Sequence, residues 1–152
     1  MMFTAVKKIA TLSVVVLALI LGYFAGYYQL VLSRLSETEP LEYREITLPV
    51  SVEDYEPVWS KSLADLIGGE AEYRLRDRSR VDVLTSKYAV EVDWLDKWHQ
   101  GIGQALHYSY LSGKEPVLGI GIKEEDYNKN KLEMAKRVAR HNGIAVWVLR
   151  AE

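Results

Sequence analysis

The chain has no cysteine among its 152 residues. That absence excludes disulfide frameworks, thiolate zinc sites, iron–sulfur clusters and thiol nucleophiles, and it leaves the compartment undetermined. Proline is scarce, with four residues, and no internal repeat or low-complexity tract interrupts the sequence. A surplus of charge is also missing, because 19 Lys and Arg stand against 21 Asp and Glu. A chain this short has room for one ordinary domain and an appendage, which rules out a two-domain enzyme.

What is present is segregated along the chain. From Ile9 to Ser33 there are 25 residues without a single charge. As a helix they would reach roughly 37 Å, enough to cross a hydrocarbon core of about 30 Å with some tilt. Residues 1–33 are therefore expected to form an N-terminal transmembrane anchor over 9–33. The alternative is a signal segment with Lys7 and Lys8 as its basic start and Ile9 to Gly22 as its apolar stretch, which would leave a secreted protein after cleavage. The anchor is preferred because the apolar run continues through Leu32 and because Tyr23 is bulky for the third position before a cut at Ala25. Lys7 and Lys8 precede the span, while Arg34 is the only cation in the nine residues after it. The positive-inside rule then puts the N-terminus in the cytoplasm and the bulk of the protein outside, in a single-pass inner or plasma membrane arrangement. Tyr23, Phe24, Tyr27 and Tyr28 suit an interfacial belt as well as they suit ordinary packing.

Residues 34–56 hold seven acidic and two basic residues together with Pro40 and Pro49, the composition of an acidic linker that projects a domain away from anionic headgroups. Residues 57–152 are the domain itself. Its 14 acidic and 15 basic residues balance, so any affinity for nucleic acid must come from a local site.

Within that domain the apolar period alternates between helix and strand values. Val58 to Ile67 reads as a helix closed by Gly68-Gly69. Ala71–Arg76, Arg80–Thr85 and Tyr88–Trp94 read as strands joined by turns. A helix from about Leu95 to Ser112, a strand Pro116–Ile122, a helix over about Asn128–His141 and a strand Ile144–Leu149 follow. The order αβββαβαβ predicts an α/β fold with a mixed β-sheet flanked by helices.

Two of the strands carry acids between valines. Asp82 alternates with Val81 and Val83, and Glu91 and Asp93 alternate with Val90 and Val92. A carboxylate in such a place costs several kcal/mol unless it is paired or bound to a cation. A hard divalent ion, Mg²⁺ or Mn²⁺, is the economical partner, since it takes one or two carboxylates plus waters. On the next helix Lys97, Gln100, Gln104 and Tyr108 form a stripe about 80° wide, with Trp98, Ile102, Ala105 and Leu106 on the adjoining core arc. A cation, two amides and a phenol are not the Lys and Glu mixture of a plain solvated face. Gly101 and Gly103 in the same helix would permit close approach of a neighbouring element. The arginines at 74, 76, 78 and 80 would either touch phosphates or pair with Glu72 and Asp77.

Arg80-Val-Asp82, Tyr88-Ala-Val-Glu91-Val-Asp93, Lys97-Trp98 and Gln104-Ala-Leu-His-Tyr108 together resemble the PD-(D/E)XK nuclease superfamily, nearest its RecB-type and Holliday-junction-resolvase-like branches. The resemblance covers about Trp59 to Leu149 and implies an αβββαβ restriction-endonuclease-like core. By position it makes Asp82 and Glu91 the metal-binding acids, Glu72 or else Glu70 the additional upstream glutamate, and Gln104 with Tyr108 the accessory pair on the helix; Gln100 from the same stripe and Arg80 from the arginine hairpin are further candidate nucleic-acid contacts. It departs at Asp93, where the family pattern has lysine. An aspartate cannot stabilise the negative charge that develops on phosphorus, so Lys97 would have to reach back in its place. The implied activity is Mg²⁺- or Mn²⁺-dependent hydrolysis of phosphodiester bonds by a membrane-tethered domain. The alternative is a catalytically degenerate interaction module of the same fold.

Overall fold

The computed structural model describes residues 20–29 and 42–152. Residues 20–29 are helical and belong to a unit separate from Leu41–Glu152. The rest of the apolar stretch 9–33 lies outside the described residues, as does the linker from 34 to 41. Among the described residues no helix is long and apolar enough to cross a membrane.

The domain contains six strands: β1 (Tyr43–Leu48), β2 (Glu70–Arg74), β3 (Arg80–Leu84), β4 (Tyr88–Trp94), β5 (Glu115–Ile122) and β6 (Ala145–Ala151). Its helices are α1 (Glu56–Ile67), α2 (Trp98–Ser112) and α3 (Lys129–His141). The strands form one sheet in the order β1-β6-β5-β4-β3-β2. Strands β1, β6, β5 and β4 run parallel, and β3 and β2 continue antiparallel. This is the mixed sheet expected from the alternation of periods.

Helix α1 lies on one face. Its Trp59, Leu63 and Ala64 pack with Val83, Val90, Val92, Trp147 and Leu149. Helices α2 and α3 cover the other, where Ala105, Leu132, Ala135 and Ala139 meet Leu118, Ile120, Val146 and Val148. A smaller cluster of Leu75, Val81, Ala89 and Tyr108 closes the β3 end. Coverage of both faces explains why β5 from Val117 and β6 up to Leu149 are buried without alternation.

Element boundaries shift from the expectation by up to two residues, and two differences are larger. Part of the presumed linker is a strand: Tyr43 to Leu48 pairs in register with Val146 to Ala151, and Leu48 is fully buried. Acids and prolines around it mask its alternation, and its partner lies about a hundred residues away, so no local signal marks it. Helix α2 starts at Trp98 rather than Leu95, because 95–97 form a turn in which Lys97 N–H donates to the Trp94 carbonyl at 2.9 Å.

Candidate active site

The sheet changes sense at β4, and the acids gather there. Strand β4 pairs with β5 along its whole length from Tyr88 to Trp94, but with β3 only at Val83–Val90 and Leu84–Ala89. Past that point the Asp82 carboxylate replaces the ladder: its Oδ2 accepts the Val92 N–H at 2.7 Å. That contact brings the Asp82 carboxyl beside the Glu91 carboxyl, within reach of a hydrogen bond.

Glu91 and Asp93 are 4% and 5% exposed, which is rare for acids without a cationic partner. Burial first, and then the neighbouring charge of Asp82, push the Glu91 carboxyl up to about 10. Burial likewise raises Asp82 to about 6 against the lowering effect of its bond from Val92. Both shifts favour the protonated form of the pair. Asp93 is also raised, chiefly by burial, although the Trp94 N–H donates to its Oδ1 at 2.8 Å and Lys97 draws it down. The second oxygen of Glu91, Oε2, is buried with no hydrogen-bond partner.

A further acid belongs to this group, and sequence reasoning missed it. Glu56 opens α1, and its carboxyl rises to about 7, first from burial and then from repulsion by Asp82 and Asp93, with Lys97 opposing. The available signal was an acid just before Pro57 at a helix start, where the helix dipole favours negative charge. Six other acids in the same segment carried similar weight.

The remaining candidates separate into neighbours and bystanders. Glu72 forms an ion pair with Arg80, and its charge also raises Asp82. It is placed by a break in the β2 ladder, where it takes a positive φ of 57°. Glu70 stays in register opposite Leu84, and nothing ties it to the acids. The face of α2 that meets the sheet is Gly101, Ala105 and Tyr108, not the whole Lys97–Gln100–Gln104–Tyr108 stripe. Gln100 and Gln104 are exposed beside it, and Lys97, also exposed, precedes the first helical turn. Tyr108 is the exception in that stripe. It is buried, accepts a long 3.4 Å hydrogen bond from Gln104 Nε2, and has its ionisation raised by burial and then by Glu91 and Asp82.

Gly101 explains how the acids come to lie beneath a helix. A Cβ there would stand 2.5 Å from Leu118 Cδ1, 3.5 Å from Asp93 Cβ and 3.6 Å from Glu91 Cγ. Only a residue without a side chain lets α2 rest directly on β4. The same expectation fails for Gly103, which has nothing within 4 Å. Leu106, placed on the core arc from sequence, is 39% exposed for the same reason: the helix is rotated toward Gly101.

Among the described residues no three acids or histidines already stand close enough to chelate a metal. The Asp82–Glu91 pair nevertheless fits a magnesium-type ion, which takes one or two carboxylates and keeps its waters. The unpartnered Glu91 oxygen and the raised carboxyls are what a cation would relieve. Compared with protein-family models, with curated proteins and with solved structures, the chain matches none.

Proposed function

We propose that this protein is a Mg²⁺- or Mn²⁺-dependent nuclease-like enzyme that hydrolyses phosphodiester bonds, held at a membrane by its N-terminal segment. The observation that carries the reading is the facing Asp82–Glu91 pair with a buried, unpartnered Glu91 oxygen. Those two carboxylates would hold the ion, with Glu56 and Asp93 adding negative charge around them. When bound, the ion supplies Lewis-acid polarisation of the phosphate and a more acidic water. Lys97, whose charge acts on both Asp93 and Glu56, is the cation at hand for the negative charge that develops on phosphorus. Tyr108 and Gln104 border the acids on the α2 side and would orient the substrate.

Purified chain incubated with a plasmid and Mg²⁺ or Mn²⁺ is expected to nick or degrade it, and Asp82→Ala to abolish the cleavage. Cleavage by Asp82→Ala equal to that of the unmodified chain sinks the assignment of the site.

The second reading, a degenerate module that keeps the fold, rests on Asp93 standing where the resemblance requires lysine. It is favoured if Mg²⁺ leaves the thermal midpoint unmoved and Asp82→Asn keeps full thermal stability. The enzymatic reading requires a rise that disappears in Asp82→Asn, since a ligand that binds only the folded state stabilises it by mass action.

A further inference from the structure

The β2–β3 hairpin tip carries an arrangement that works against the fold. Arg74 stands directly opposite Arg80 in the antiparallel register, a like-charge cross-strand pair. Arg80 is relieved by Glu72, whereas Arg74, Arg76 and Arg78 are exposed and, among the described residues, make no ion pair. The one acid at the tip is already engaged. Asp77 accepts from the Ser79 hydroxyl at 2.6 Å and the Ser79 N–H at 3.0 Å, and its Oδ2 lies 2.8 Å from His107 Nε2.

The turn adds a second cost. Arg78 N–H donates to the Leu75 carbonyl and Leu75 N–H to the Ser79 carbonyl, closing a three-residue loop. Such a loop ends in a left-handed residue, a position that favours glycine. Here it is Arg78, at φ 73°. A sequence selected for stability alone would not place arginine there.

The tip also adjoins the acids. Arg80 stands two residues before Asp82 on β3 and directly opposite Arg74. Glu72 links the two, bonding Arg80 while acting on Asp82. The contact between His107 and Asp77 fastens the tip to α2, one residue from Tyr108.

We propose that this tip is a clamp for the phosphate backbone of a nucleic acid, with Arg74, Arg76 and Arg78 contacting successive phosphates and leading the strand to Asp82 and Glu91. The inference rests on the nuclease reading for its choice of partner. A phosphate backbone offers the repeated anions that three uncompensated guanidinium groups need, and guanidinium binds phosphate in a fork geometry.

The test measures binding of a short fluorescein-labelled DNA duplex to the full chain by anisotropy, in EDTA so that cleavage is silent, over a range of KCl concentrations. The triple variant R74Q/R76Q/R78Q is expected to lower the salt dependence by about 3 log units per log unit, at roughly 0.9 for each phosphate contact. R74K/R76K/R78K keeps the charge and should restore most of that slope. R78G is expected to raise the thermal midpoint while reducing the slope by about 1. An unchanged slope in the glutamine triple, or absence of DNA binding by the unmodified chain, overturns the clamp. So does arginine-dependent binding confined to phosphatidylserine vesicles, which would assign the tip to a lipid surface. Arginine-dependent DNA binding without cleavage in Mg²⁺ removes the catalytic reading and leaves the clamp standing. Cleavage with arginine-independent binding does the reverse.

Discussion

The two halves of the sheet differ in what they are made of. The parallel half, from β4 through β5 and β6 to β1, is covered by helices, its central strands are fully paired, and they are filled with Val, Leu and Ile. The antiparallel half has a broken ladder at Glu72, a left-handed Arg78, a mostly exposed β2 and every candidate acid except Glu56 in or beside it. Strand β4 belongs to both. Its β5 edge is fully bonded, while its β3 edge is released beyond Val90, and that release frees the Val92 N–H for Asp82. The regular pairing and the clustered acids thus lie on opposite edges of one strand.

Four substitutions, in descending order of expected effect, probe this division. Leu149→Ala removes a fully buried side chain from the parallel half and should cost about 2–5 kcal/mol in denaturant unfolding. A loss under about 1 kcal/mol, below the range of such truncations, would mean that this half is not the source of stability.

Glu91→Gln should act in the opposite direction. The Glu91 carboxyl rises from an ordinary 4.5 to about 10 in the fold, so the folded state favours its neutral form. That contribution is complete below about pH 4 and is lost as the pH climbs toward the folded value. Glutamine removes the dependence, so the variant should match the parent at pH 4 and exceed it at pH 8 by on the order of 1–3 kcal/mol. Thermal unfolding at the two pH values measures this, and a variant less stable at pH 8 would show that the buried carboxyl is satisfied by a partner.

The glycines of α2 give the smallest effects and the sharpest contrast. Gly101→Ala forces a Cβ against Leu118, itself fully buried, and should destabilise by about 1 kcal/mol after the gain in helix propensity is subtracted. Gly103→Ala meets open space and should stabilise by about 0.5–1 kcal/mol. Equal responses at the two positions would contradict the seating of α2 on β4.

Much of this architecture was legible in the residues. Strands β3 to β6 and the three helices announce themselves by period and by their glycine or polar ends, and Asp82 and Glu91 stand out as acids among valines. Strand β1 did not, because an edge strand whose partner is β6 has only weak alternation to identify it. Glu56 was obscured by the acids around it, and the face of α2 was misjudged because periodicity weights large apolar residues such as Leu106, whereas a glycine makes the closest contact.

The sequence by itself determined the fold class, the succession of elements after β1 and the presence of three acids in two apolar strands, since each depends on local period and composition. Only the tertiary structure decided that Asp82 and Glu91 face each other, that Glu56 joins them across the chain, and that Gly101 brings α2 down over β4. These depend on where the β3–β4 ladder stops and on how closely two backbones can approach, and both are properties of pairs of segments distant along the chain.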